Sequence, residues 1–414
     1  MHKVTTLAAA LLLTFSGSVI VNSAMAAEKC PIDSRQSKAV GESAARKVQK
    51  AFEAYQAGKL DDAIATLLEA DPRGDFDKAY IARMLGNFYA EKGQMDKAIK
   101  YLKSAVDADV LGGVDHAATL KLYSDLLLQE KKYKEAISYY RKWMDFTCKK
   151  DAVVYRRMAI AYTEMQQWDN ALKTVDEGIS VMDKPDKGLY QLKFQSLFNL
   201  KKYKQAVGVL ETMVPLFPDD QRLWVQLAQL YLLTEDYDRS LATYEIAYAG
   251  GFLEKPDNII RLCQLLAQKG SPYRGALILE KHIKSGLVPK DEKNLSMMAG
   301  FFHQAKALKQ AATYYDQAAS ISKDGKLYLK EGRILSLDQQ YKASIPVLEK
   351  ALNAGLDSPG EAQYELMLSY LNLKQYKEAY RYAELAAKDK KTAKSATNYI
   401  AYIKEKARIH KISL

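Results

Sequence analysis

The chain has 414 residues, with 61 Lys and Arg against 50 Asp and Glu, a formal net charge of +11, and 48% hydrophobic residues. That balance excludes wholesale disorder and a polytopic membrane protein, and its basic excess raises nucleic acid or an anionic surface as partners. Only 10 prolines and 3 cysteines point to continuous helical architecture, with too few thiols for a disulfide framework and the wrong spacing for zinc.

Residues 1–26 combine a short basic start (His2, Lys3), an apolar stretch from Leu7 to Val21 and the small-residue triplet Ala24-Met25-Ala26. This pattern is that of a secretory signal peptide cleaved between Ala26 and Ala27. The apolar stretch is interrupted by Thr14, Ser16, Gly17 and Ser18 and is short for a bilayer span, so cleavage is expected rather than anchoring. Cys30 follows Glu28-Lys29 and lacks the small apolar residues that precede a lipidated cysteine. Export places the mature chain in the periplasm, an oxidising space without chromosomal DNA, which removes nucleic acid from the expected partners. Residues 27–43 read as an N-terminal tail.

From residue 44 to residue 391 one phrase recurs, in which an aromatic or apolar residue precedes a small one by three places. Examples are Tyr133 with Ala136, Trp168 with Ala171, Tyr203 with Ala206, Tyr237 with Ser240 and Tyr376 with Ala379. The small residues are Ala63, Ala98, Ala136, Ala171, Ala206, Ser240, Gly275, Ala311, Ser344 and Ala379, spaced by 33 to 38 residues. This period matches the tetratricopeptide repeat of about 34 residues and not the armadillo, HEAT or leucine-rich repeats. The expected fold is all-α, a tetratricopeptide superhelical solenoid of about ten helix-turn-helix repeats. Two antiparallel helices approach closely at small residues such as Gly86 and Ala98, while Tyr and Leu at helical spacing fill the space beside them. One pair cannot bury its own apolar face, so stacking is obligatory.

The widest spacing, between Ala98 and Ala136, suggests a loop insertion near Gly112 to Asp115. The seventh unit is the least regular, with Ser271-Pro272-Tyr273 at its turn. Residues 392–414 read as a C-terminal capping helix and basic tail, with Tyr399, Ile400, Tyr402, Ile403 and Ala407 near one face.

Catalytic chemistry is not expected. The histidines His116, His282, His303 and His410 form no metal-ligand pair, and no nucleophile elbow, phosphate-binding loop or dinucleotide fingerprint occurs. No cofactor or metal is expected, and the tyrosine stripes coincide with packing positions. Cys263 sits at a small-residue packing place and reads as a buried free thiol. Cys30 lies in the tail and Cys148 at the end of the third repeat. The tail can span over 40 Å at about 3.3 Å per residue. A Cys30–Cys148 disulfide clamping the tail along the stack is therefore expected, two free thiols being the alternative.

In such a stack the first helix of each pair lines an inner groove. The places that point into it hold Arg83, Asn87, Lys121, Arg156, Gln191, Gln195, Arg222 and Gln229, a polar, mildly basic and amide-rich set. An acidic or extended peptide fits that lining. Arg83 and Asn87, with Arg157, resemble three members of the carboxylate clamp of some tetratricopeptide proteins, but Leu122 stands where a further clamp Asn belongs. Between Lys388 and Lys411 there are eight Lys or Arg against Asp389 and Glu405. This cap is either simply solvated or a contact for anionic phospholipid, cell-wall polymer or an acidic partner.

Three stretches carry a narrower likeness: LWVQLAQLYLLTEDYDRSLATYEIAYAGGFL from Leu223, GSPYRGALILEKHIKSGLVPKDEKN from Gly270, and DGKLYLKEGRILSLDQQYKASIPVLEKALNAGL from Asp324. They resemble the periplasmic tetratricopeptide proteins associated with TonB systems in marine gammaproteobacteria. The resemblance implies a non-enzymatic component of an energy-transducing complex with TonB, ExbB and ExbD that supports iron-carrier uptake through outer-membrane receptors. It carries over no catalytic residue. The competing expectation is an envelope-assembly adaptor or chaperone that binds outer-membrane or cell-wall proteins.

Overall fold

The computed structural model describes residues 30–414; the expected signal peptide and its Ala26–Ala27 cleavage site lie outside them. The described residues form 22 helices and no strand, and the chain divides into two compact units, the first up to Met182 and the second Asp183–Leu414.

In the first unit a short helix α1 (Pro31–Ser34) precedes four helix pairs. These are α2 (Glu42–Gln56) with α3 (Leu60–Leu68), α4 (Asp75–Glu91) with α5 (Met95–Asp107), α6 (Gly113–Gln129) with α7 (Tyr133–Thr147), and α8 (Ala152–Glu164) with α9 (Trp168–Ser180). The second unit holds six pairs and a further helix. Its pairs are α10 (Lys187–Asn199) with α11 (Tyr203–Leu216), α12 (Arg222–Leu233) with α13 (Tyr237–Ala249), α14 (Pro256–Gln268) with α15 (Pro272–Lys284), α16 (Glu292–Gln304) with α17 (Leu308–Ser322), α18 (Gly325–Leu337) with α19 (Tyr341–Ala354), and α20 (Pro359–Asn372) with α21 (Tyr376–Ala386). The last helix, α22 (Ala393–Ile409), packs on α21.

All ten recurrent small residues, from Ala63 to Ala379, are buried where the second helix of a pair meets the first. The close approach has a steric reason at Gly86, where a Cβ would lie 2.5 Å from Cγ of Leu102 on the partner helix. Cys263 is also fully buried, and burial pushes its thiol up to about 12.

The turns within pairs obey one backbone rule. Five places before each small residue stands a residue with positive φ: Gly58, Gly93, Lys131, Gln166, Lys201, Glu235, Gly270, Lys306, Gln339 and Lys374. An L residue pays about 1–2 kcal/mol for that conformation, part of which glycine recovers. Lys201→Gly and Lys306→Gly are each expected to raise stability by about 0.5–1 kcal/mol, read as a higher thermal midpoint. Both lysine side chains are exposed, so no packing is lost.

In the first unit the tail is a strap. A disulfide joins Cys30 to Cys148, with a Cα separation of 5.8 Å. The guanidinium of Arg35 donates to Asp109 at 2.7 Å and lies 5.0 Å from the ring centre of Phe146. The Gly113 amide donates to the Arg35 carbonyl at 3.0 Å, and the Gly41 amide to Asp77 at 3.0 Å. The strap thus runs past the starts of α4 and α6 and the end of α7. Gly113 is required for this route, because a Cβ there would lie 2.2 Å from the Ile32 carbonyl oxygen. The extra residues between Ala98 and Ala136 accordingly do not form the expected loop near Gly112 to Asp115. Gly113 to Asp115 open α6, which reaches 17 residues where α8 has 13.

Candidate partner-binding groove

Within each unit the first helices of successive pairs stand side by side, so a side chain on one meets the next helix about one repeat later. In the first unit this neighbour supplies carboxylates. Arg83 on α4 pairs with Asp115 on α6 at 3.2 Å, with its guanidinium over Tyr80. Lys121 on α6 reaches Asp151 at the start of α8 at 3.2 Å and lies 4.8 Å from the Trp143 ring centre. Arg157 on α8 donates to both oxygens of Asp125, at 2.7 and 2.9 Å, and the Tyr140 hydroxyl donates to the same carboxylate. Burial opposes ionisation of Asp151, but the Val153 amide and Lys121 outweigh it and hold its carboxyl below the usual range. Asn87 and Arg156 are half-buried.

Three of the basic side chains in this region, Arg83, Lys121 and Arg157, therefore already hold a carboxylate of the chain itself. A ligand carboxylate at Arg83 or Arg157 has to compete with Asp115 or Asp125. The resemblance to a carboxylate clamp is thus weakened by geometry as well as by Leu122: the would-be clamp cations already hold internal carboxylates.

The second unit contains a more open site. Residues at the starts of α10, α12 and α14 and the end of α11 line a groove of about 850 Å³. Val225, Phe217 and Phe252 supply apolar surface, and Gln221, Gln226, Gln229 and Asn258 supply amides. The Gln229 amide donates to the Asn258 side-chain oxygen at 3.1 Å. On the rim, Asp220 accepts from Arg222 at 2.9 Å and meets Lys187 at 2.6 Å. The Arg222 side chain, against some burial and with help from Lys187, holds the Asp220 carboxyl far below the usual range. Arg222 itself stays 80% exposed beyond that pair, so its remaining donors face solvent. Gln191 and Gln195 on α10 are exposed but do not line this groove.

Of the eight side chains expected to face a partner, the structure brings Arg222 and Gln229 together in this groove. Sequence periodicity missed its apolar components, Phe217 and Phe252. Both lie in the loops that lead into first helices, just before Asp220 and Lys255, where an aromatic residue is off the helical pattern. Mixed apolar surface and neutral amides, with both signs of charge at the rim, suit the backbone and side chains of an extended peptide. Among the described residues no group of three or more His, Cys, Asp or Glu is placed to hold a metal ion.

Two matches to a family of repeats agree with this architecture. Residues 77–147 and 192–252 each match a model of the tetratricopeptide repeat. The matches fall on α4 to α7 in the first unit and on α10 to α13 in the second. Among curated proteins, the WD repeat-containing protein dyf-2 of Caenorhabditis elegans is 26% identical over 200 residues, 42% of this chain and 14% of that protein's length. Among solved structures, a tetratricopeptide repeat protein from Parabacteroides merdae is 14% identical, with 72% of this chain and 99% of that one covered and a TM-score of 0.38. The Naa15/Naa10 assembly bound to HypK-THB is 14% identical over 74% of this chain and 51% of that one, with a TM-score of 0.47. MamA is 16% identical over 43% and 94%, with a TM-score of 0.37. Tetratricopeptide proteins are in general non-enzymatic scaffolds that bind other proteins. With ten helix pairs among the described residues and a matched segment in each unit, the chain has the all-α fold of tetratricopeptide repeats.

Proposed function

We propose that this protein is a periplasmic, non-enzymatic scaffold, an accessory component of a TonB–ExbB–ExbD complex that supports iron-carrier uptake through outer-membrane receptors. The observation that carries the binding role is the amide-lined groove between Leu216 and Asn258, sized for a peptide segment. The narrower assignment rests on the likeness of the stretches from Leu223, Gly270 and Asp324 to TonB-associated tetratricopeptide proteins. The Cys30–Cys148 cross-link supports export, because such bridges persist in oxidising compartments.

Deletion of the gene, followed by growth on chelated iron, tests the reading. Poor growth restored by the intact gene is expected, and normal growth with no second TonB system to compensate overturns it. Val225→Glu with Gln229→Ala in the groove is expected to lower affinity for the captured TonB-complex component by at least about tenfold, measured by titration. Unchanged affinity moves the contact elsewhere on the stack. Normal growth on chelated iron together with failure of outer-membrane protein assembly in the deletion strain favours the adaptor or chaperone instead.

A further inference from the structure

The helix α22 buries Ala396, Ile403 and Ala407 against the last pair, with Tyr399 and Ile400 partly covered beside them. An exposed flank of the helix is basic. At 100° per residue, Lys394, Lys404 and Arg408 project in one broad sector, Lys411 follows in the turn just beyond the helix, and all four are exposed. Arg408 is matched by Glu405 at 2.8 Å. Lys404 lies 5.4 Å from the ring centre of Tyr380 on α21, and among the described residues Lys394, Lys404 and Lys411 have no carboxylate within ion-pair reach.

Apolar groups flank this charge. Tyr402 is 50% exposed and Ile409 56% exposed along one edge of the basic sector, and Ile412 just beyond the helix is 39% exposed. Their placement is defined by the backbone. Lys411 has positive φ, its amide donates to the Arg408 carbonyl at 3.1 Å, and the Ile412 amide donates to the Ala407 carbonyl at 2.9 Å. This paired closure of the last turn is the Schellman arrangement, and it holds Ile412 beside the helix end.

We infer that α22 is a membrane-docking surface that lies on an anionic phospholipid bilayer. A solvated cap gains nothing from exposed isoleucines, and a soluble acidic polymer or protein segment that neutralises the lysines leaves Ile409 and Ile412 in water. A bilayer interface takes both. Lysines meet headgroup phosphates at about 1 kcal/mol each, while Tyr and Ile enter the boundary between headgroups and acyl chains. No helix among the described residues is long and apolar enough to cross a membrane, so this contact is peripheral.

The test is cosedimentation of the full chain with vesicles of equal parts phosphatidylglycerol and phosphatidylcholine, and with phosphatidylcholine alone. Parent and variants differ only in the last helix and the turn after it, so binding by residues 1–26 is common to all. Stronger binding to the anionic vesicles is expected, falling as salt rises. Combined Lys394→Gln, Lys404→Gln and Lys411→Gln should weaken it by about a hundredfold. Ile409→Ser with Ile412→Ser should weaken it by about tenfold while keeping its salt dependence. These side chains are exposed, so unchanged circular dichroism is expected of every variant. Equal binding by parent and charge variant overturns the inference. So does equal binding by parent and isoleucine variant together with comparable affinity for soluble polyglutamate, which makes the site a polyanion contact. Iron-dependent growth is not read, so failure here leaves the scaffold reading standing.

Discussion

Replacing Glu331 with leucine is expected to raise the stability of the second unit at neutral pH by about 2 kcal/mol. Glu331 lies on α18, is only 6% exposed, and its Oε2 has no hydrogen-bond partner. Thirteen places before the recurrent small residue, other pairs bury Leu85, Tyr123, Met158, Leu227, Leu262, Met298 and Leu366. Glu331 occupies the same place before Ser344. Burial pushes its carboxyl up to about 7, Asp316 on α17 adds to this, and Lys350 on α19 partly offsets it.

The sign of the pH effect follows from proton binding. The folded state holds its proton until about pH 7, whereas the unfolded carboxyl releases it near its usual value of 4.5. Between these values the folded state binds more protons, so Glu331 makes stability fall as pH rises through that window. The contribution levels off above it. Hydrogen exchange of α18 amides at pH 5 and pH 7.5 checks this. Protection in the parent is expected to reflect lower stability at the higher pH, after correction for intrinsic exchange, with the difference largely removed in Glu331→Leu. A variant no more stable than the parent at pH 7.5 shows that the carboxylate is adequately solvated in the native state.

Reduction of the Cys30–Cys148 bridge is expected to cost the first unit about 5 kcal/mol. The bridge closes a loop with a sequence separation of 118 residues, and loop entropy lost from the unfolded chain gives this magnitude. Cys148→Ser should reproduce the effect without reductant. Denaturation followed through Trp143 and Trp168, which both lie in the first unit, measures it. The strap should also loosen. Trypsin is then expected to cut after Arg35 and Lys38 faster in the variant, because the segment is left with noncovalent ties alone: the Arg35 ion pair with Asp109, its contact with Phe146, the packing of Ile32 and Val40 and a few hydrogen bonds. Unchanged stability and unchanged cleavage in Cys148→Ser mean that the noncovalent seat alone holds the strap.

The repeat was readable because the contacts that define it are local. A small residue and its partner twelve places earlier, as in Gly86 with Ala98 or Cys263 with Gly275, lie within one helix pair, and periodicity reports them directly. Two irregularities carried more information than their place in the repeat suggested. Lys193 and Phe194 on α10 stand where the inner pairs, the α18 pair with Glu331 apart, carry a large apolar residue and a small one, and Lys50 makes the same first departure on α2. Each is in the first helix pair of its unit. The uninterrupted anchor spacing from Ala171 to Ala206 concealed the division after Met182.

The amino-acid sequence by itself determined the helix pairs, the small residues at their crossings and the tail cysteine able to reach the third repeat, because each follows from spacing along the chain. Only the tertiary structure decided which groove charges remain available. Asp115 neutralises Arg83 and Asp125 neutralises Arg157 from a neighbouring first helix, and Phe217 and Phe252 enter the groove from loops. The route of the strap over Gly113 was decided there too. These outcomes depend on the juxtaposition of side chains about one repeat or more apart. Stacking fixes that juxtaposition, and the period of the repeat leaves the paired charges unspecified.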